Sequence, residues 1–145
     1  MNKDFVSYDL AVKLKKKGFR NKCLAYYLNN DLFFNVCNFR GAGVENLLTS
    51  YNSLSDVDNI YDAYKYMVDA PTIDQVLKWL REEKRLHIEI GIWDRKYFPA
   101  IVHIYIPDEN IVHCSQSTFL DDENTFDSYE EAVLASIEYV LKNLI

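Results

Sequence analysis

Three histidines carry the most chemical reach in this 145-residue chain, because two strand-like segments bring them toward one row. Leu86, Ile88, Ile90 and Ile92 alternate with His87, Glu89, Gly91 and Trp93. Phe98, Ala100, Val102, Ile104 and Ile106 alternate with Tyr97, Pro99, Ile101, His103 and Tyr105. A strict period of two marks strands with one face on a core. Pairing the core faces sets Ile88 beside Val102 and Ile90 beside Ala100, which puts His87 opposite His103. A short third strand at 111–114, with Val112 beside Ile104, adds His113 on the other side of His103. Three imidazoles plus a water form the pattern of a catalytic zinc site. The outer two Cβ atoms would stand about 10 Å apart across strands ~4.8 Å from one another. Zinc–nitrogen bonds of ~2.1 Å then demand marked convergence. Zinc held by His87, His103 and His113 therefore ranks third among the functional expectations.

Other catalytic arrangements fare worse. His113 and Cys114 are adjacent, so on a strand their side chains point to opposite faces and cannot form a nucleophile–base pair. Asp121, Asp122, Glu123 and Asp127 lack the spacing and central glycine of a calcium loop, and a solvated acidic loop accounts for them. Nothing resembles a phosphate-cradling glycine loop. No catalytic residue is assigned, and no cofactor is expected beyond the low-ranked zinc.

The elements that would position these residues are legible from their ends. Ser7 can cap a first helix over about 7–17, with Leu10, Ala11 and Leu14 on one face, Gly18 as its left-handed stop and Phe19 packing back on Leu14. Thr72 with Gln75 makes a capping box for a second helix over 72–83. Its stripe is Ile73, Val76, Leu77 and Leu80, with Trp79 at the core margin. Ser128 with Glu131 opens a third helix over 128–143, buried through Val133, Ile137, Val140, Leu141 and Leu144. Residues 23–28 and 32–38 form a hairpin around Asn29-Asn30-Asp31, in a register that faces Leu28 with Leu32 and Cys23 with Cys37. Pro99 marks an edge or bulge. Residues 40–69 are poorly specified: Ile60, Tyr64 and Met67 suit a helix, while Tyr64, Tyr66 and Val68 suit a strand. The expectation is a single α+β domain over 1–145, mostly an antiparallel sheet of four to six strands.

Composition narrows the function classes. The hydrophobic fraction is 49% and the aromatic fraction 14%, too high for a disordered chain. No run approaches the length of a membrane span, the N-terminus lacks a signal-peptide segment, and the three cysteines are widely spaced and odd in number. A cytoplasmic, reduced protein with no membrane association is expected, with Cys23 and Cys37 as core thiols in preference to a disulfide. Residues 1–50 hold eight basic and four acidic side chains, against eight and eighteen in 51–145. Lys13, Lys15, Lys16, Lys17, Arg20 and Lys22 form a basic segment that could track nucleic acid. The net charge of −6 and the fit of lysines to a helix C-terminus weigh against it, so nucleic-acid binding is the second expectation. The first is a non-enzymatic protein-binding module, with Trp93, Tyr97, Ile101 and Tyr105 as an aromatic–aliphatic patch on the outer sheet face.

The landmarks FVSYDLAVKLKKKGF, CLAYY, APTIDQVLKWLREEKRLHIEI and FDSYEEAVLASIEYVL occur in that order. In this the chain resembles a family of small uncharacterised proteins frequent in Bacteroidetes genomes and their phages and mobile elements. The resemblance spans most of the chain and is weakest over 39–69. It implies an intracellular accessory protein and supplies no functional residues.

Overall fold

The computed structural model describes residues 4–35, 48–56, 62–105, 113–119 and 125–145. The chain is α+β with antiparallel sheets, and it divides into two compact units, Met1–Gln75 and Val76–Ile145. Among the described residues the strands fall into two three-stranded sheets.

In the first unit, α1 (Tyr8–Lys16) starts at Ser7, whose hydroxyl accepts from the Leu10 N–H at 3.4 Å. It stops where Gly18 turns left-handed at φ 91° and the Phe19 N–H returns to the Leu14 carbonyl at 3.0 Å. β1 (Ala25–Leu28) lies between β2 (Asp31–Phe34) and β3 (Met67–Ala70). The β1–β2 turn has two residues, Asn29 and Asn30, both left-handed at φ 51° and 73°. Leu28 thus pairs with Asp31 and Tyr26 with Phe33. This corrects the three-residue turn read from the sequence, and shifts that pairing by one. Cys23 is a free buried thiol, and its backbone bridges to Thr49. Its expected neighbour Cys37 lies outside the described residues.

One face of this sheet, Ala25 and Tyr27 with Val68 and Ala70, is buried with Leu10, Leu14 and Phe19. Tyr27 fastens it to the α1 entry: its hydroxyl donates to the Val6 carbonyl at 2.6 Å and its ring meets Tyr8 edge-on. Part of the segment left open by the sequence is now defined. It holds a short helix, α2 (Tyr51–Leu54), then a 3-10 turn over Asp62–Tyr66 that runs directly into β3. Tyr64 and Tyr66 are thus in the turn, and Val68 in the strand.

Helix α3 (Ile73–Glu83) opens on the expected capping box. The Thr72 N–H donates to Gln75 Oε1 at 3.0 Å and the Gln75 N–H to Thr72 Oγ1 at 3.3 Å. Thr72→Ala should lower stability by about 1 kcal/mol, readable as a shift in urea midpoint at unchanged slope. Trp79 is fully buried, and its indole N–H donates to Glu83 at 3.0 Å.

In the second unit, β5 (Lys96–Tyr105) lies between β4 (Leu86–Trp93) and β6 (His113–Phe119), and α4 (Tyr129–Asn143) packs against β4 and β5. Ser128 caps α4 through the Glu131 N–H, and Val133, Ile137, Val140 and Leu141 are buried. The β4–β5 turn is again two residues long, with Asp94 and Arg95 left-handed at φ 45° and 61°. Pro99 sits in the central strand, near the end that the sequence reads as an edge or bulge. The Tyr97 N–H points to Phe126, so the Pro99 nitrogen points the same way, just beyond the last β6 pair, Ala100–Phe119.

Candidate functional site

The two-residue turn fixes the β4–β5 register as Leu86–His103, His87–Val102 and Ile88–Ile101. The expected register was displaced by one residue, and a one-residue slip moves a whole strand to the other face. His87 and His103 therefore lie on opposite faces of the sheet, which corrects the proposed histidine row. β6 runs over 113–119 instead of 111–114, and a register irregularity between His103 and Ile104 pairs His103 with Gln116 and Tyr105 with His113. The strands do not align the three imidazole-bearing positions. His87 pairs loosely with Glu89 on its own strand, Nε2–Oε1 3.9 Å. Among the described residues no group of three His, Cys, Asp or Glu side chains is placed to hold a metal ion. The acidic run at 121–123 lies outside them.

The same register dismantles the expected patch. Ile101 shares its face with Ile88 and is 0% exposed, a core residue. Tyr97 is half-buried, shares a face with Ile92, and meets the Tyr129 ring edge-on at 6.4 Å. Trp93 pairs with Lys96 and belongs to the opposite face. Tyr105 ends β5, and nothing beyond its pairing is described. What remains is the hairpin tip. Trp93 is 76% exposed and Ile92 67%, and Asp94, Arg95 and Lys96 around them are exposed as well. As neighbours on a strand, Ile92 and Trp93 point to opposite sides, so the tip is apolar on both flanks. It is held from one side: Tyr97 and Phe126 exchange backbone hydrogen bonds at 3.0 and 3.1 Å, and Lys96 pairs with Asp127.

The basic segment is partly committed to the fold. Lys15 donates to the Met67 carbonyl at 3.1 Å. Arg20 donates to the carbonyls of Lys15 and Phe19 and pairs with Asp56 at 2.6 Å. Burial, with Arg20 nearby, lowers the Lys15 pKa from the ordinary lysine value. Lys13, Lys16 and Lys22 are exposed and Lys17 is half-buried.

A buried polar cluster in the first unit escaped the sequence reading. Asp69, 0% exposed, stands on the sheet face opposite the core, beside Tyr26. Its carboxyl accepts from the Tyr51 N–H at 2.7 Å, the Asn52 N–H at 3.0 Å and the Ser50 hydroxyl at 3.0 Å. Asn52, also 0% exposed, accepts from the Asp69 N–H at 3.2 Å and donates to the Phe19 carbonyl at 3.1 Å. A row of rings, Phe33, Tyr26, Tyr51 and Tyr64, runs over the same face at centroid spacings of 5.7, 4.7 and 5.7 Å. Desolvation raises the Asp69 pKa above the ordinary aspartate value, outweighing the two N–H donors, the Ser50 hydroxyl and Lys15. Burial, then Asp69, pushes the Cys23 thiol far up. The available signal was a lone acid in an apolar strand, Met67-Val68-Asp69-Ala70, following a Ser50-Tyr51-Asn52-Ser53 run that supplies donors.

The chain is thus an α+β protein whose described residues include a bare apolar hairpin tip and a largely buried polar cluster. No protein-family model, curated protein or solved structure matches it. Among the described residues no helix is long and apolar enough to cross a membrane.

Proposed function

We propose that this protein is a non-enzymatic, cytoplasmic protein-binding module that docks through the β4–β5 hairpin tip. One observation carries the reading: Trp93 and Ile92 are 76% and 67% exposed at the end of a hairpin that its own unit braces. Tryptophan is among the residue types that dominate binding energy at interfaces, above all when ringed by polar groups. Here Asp94, Arg95 and Lys96 supply the rim. Left-handed Asp94 and Arg95 fix the tip in advance, which cuts the ordering cost of association. Apolar groups on both flanks suit insertion into an apolar cleft better than a lie across a flat surface. The free thiol at Cys23 agrees with a reducing compartment. The family resemblance extends the reading to an accessory protein of phage or mobile-element origin.

Affinity capture from extracts of the host cell tests this with wild type and the Ile92→Ala/Trp93→Ala pair. A protein retained by the wild type should be lost with the pair. Both positions are exposed, so stability should stay within about 0.5 kcal/mol of wild type for each change. No retained protein, or one held equally by both, would overturn the assignment.

A further inference from the structure

The outer edges of the β2-β1-β3 sheet differ in how the chain treats them. Successive residues of a strand offer their N–H and C=O groups to opposite sides. The Asn35 N–H donates to the Leu24 carbonyl at 2.9 Å, which sets the phase: Tyr26 and Leu28 bond toward β2, and Ala25 and Tyr27 toward β3. At the β3 edge the outward residues are therefore Met67 and Asp69, and both have side-chain partners from their own unit. Lys15 donates to the Met67 carbonyl at 3.1 Å, and the Asp69 N–H donates to Asn52 Oδ1 at 3.2 Å. At the β2 edge the outward residues are Leu32 and Phe34, and among the described residues no hydrogen bond reaches their outward groups. Exposed edges are commonly blunted by lysine, proline or a bulge. Asp31-Leu32-Phe33-Phe34 has none of these, pairs regularly with β1, and leaves Phe33 and Phe34 42% and 43% exposed.

We propose that β2 is a homodimer edge, pairing antiparallel with β2 of a second copy of this chain about a two-fold axis at Phe33. That register uses both outward residues of each strand. Leu32 exchanges N–H···O bonds with Phe34 of the second copy, and by symmetry Phe34 does so with Leu32 of the second copy. An axis at Leu32 or at Phe34 would pair only that one outward residue within the two strands. Phe33 meets its own counterpart in the closely spaced pair between those bonds, where an aromatic couple stabilises a sheet. In each copy Phe33 ends the row of rings that continues through Tyr26, Tyr51 and Tyr64. An axis perpendicular to the sheet keeps the faces aligned, so the two rows join end to end. Charge agrees with self-pairing: Asp31 falls opposite Asn35 of the second copy, and no like charges meet. The product is one continuous sheet made of two three-stranded halves.

Sedimentation velocity on the intact chain across a range of concentrations tests the pairing. Wild type should show a reversible monomer–dimer equilibrium. Phe33→Lys and Phe33→Glu should each weaken it by about tenfold or more, since either removes the aromatic couple and sets like charges face to face. Mixed in equal amounts, the two variants should associate again, because lysine then meets glutamate across the axis. The Ile92→Ala/Trp93→Ala pair should dimerise as wild type does, which separates this edge from the hairpin tip. A monomeric wild type, a dimer that both charges leave intact, a mixture that stays monomeric, or a dimer lost with the Ile92/Trp93 pair would overturn the proposal. A monomeric wild type that holds a host protein lost in Phe33→Lys would give the edge to a foreign strand instead. Should the charged variants fail to fold, Phe33→Cys decides the same point. Under mild oxidation it should cross-link as a dimer beyond the wild-type level, and a yield no greater than wild type overturns the pairing.

Discussion

Asp69→Ala should cost the first unit about 3 kcal/mol, the largest loss expected from any single polar change in it. The cost is one of abandonment. The Tyr51 and Asn52 N–H groups, bonded to the carboxyl at 2.7 and 3.0 Å, would keep their place with no acceptor. Asn52 is buried, and it ties the α2 turn to both the Asp69 N–H and the Phe19 carbonyl. Asp69→Asn should fall between alanine and wild type. One amide oxygen can replace one carboxyl oxygen, but the NH2 must then face a donor. Urea unfolding followed by circular dichroism, read as a shift in midpoint, orders the three proteins. Equal stability of all three would show that the cluster does not anchor the turn.

Ile101→Ala is expected to remove about 2–5 kcal/mol from the second unit, whereas Trp93→Ala should remove almost nothing. The two positions were assigned to one surface by the sequence. Ile101 is 0% exposed, on the same face as Leu86 and Ile88, and truncation there loses transfer energy and leaves a cavity. Trp93 is 76% exposed and has little packing to lose. The same denaturation measurement separates them. A small effect at Ile101 would mean that the β4–β5 pairing is displaced by a residue after all.

Helices α1, α3 and α4 were legible because their ends are written in side chains of definite chemistry, and α2, inside the segment left open, was not. Ser7, the Thr72–Gln75 box, Ser128 and Gly18 each do what their type implies. β4 and β5 were legible as strands for the same kind of reason, a period of two, whereas β3 lay in the segment left open and β6 was expected at 111–114. The strand registers were not legible. Asn29-Asn30 and Asp94-Arg95 take up both left-handed positions of a two-residue turn, and neither pair includes the glycine that normally announces one. Nor could alternation choose a face in β5, where both sets are apolar. Ile101 on one side and Ala100 and Val102 on the other are all buried. The histidine row and the aromatic patch both hung on that choice, and both fell with it. The Asp69 cluster was hidden for a different reason: its members are 17 to 19 residues apart and meet only through the turn that they stabilise.

The chain has two tryptophans, and they live in opposite surroundings. Trp79 has no exposed surface, with its N–H on Glu83 and the Lys84 ammonium 4.9 Å from its ring centre, while Trp93 faces solvent. The protein therefore carries two native fluorophores with separable emission. A quencher such as acrylamide should silence Trp93 and spare Trp79, so the red-shifted component becomes a label-free gauge of whatever covers the hairpin tip. The blue-shifted remainder reports on the core in the same cuvette. Occupancy and integrity can then be followed together, without adding a dye or altering a residue.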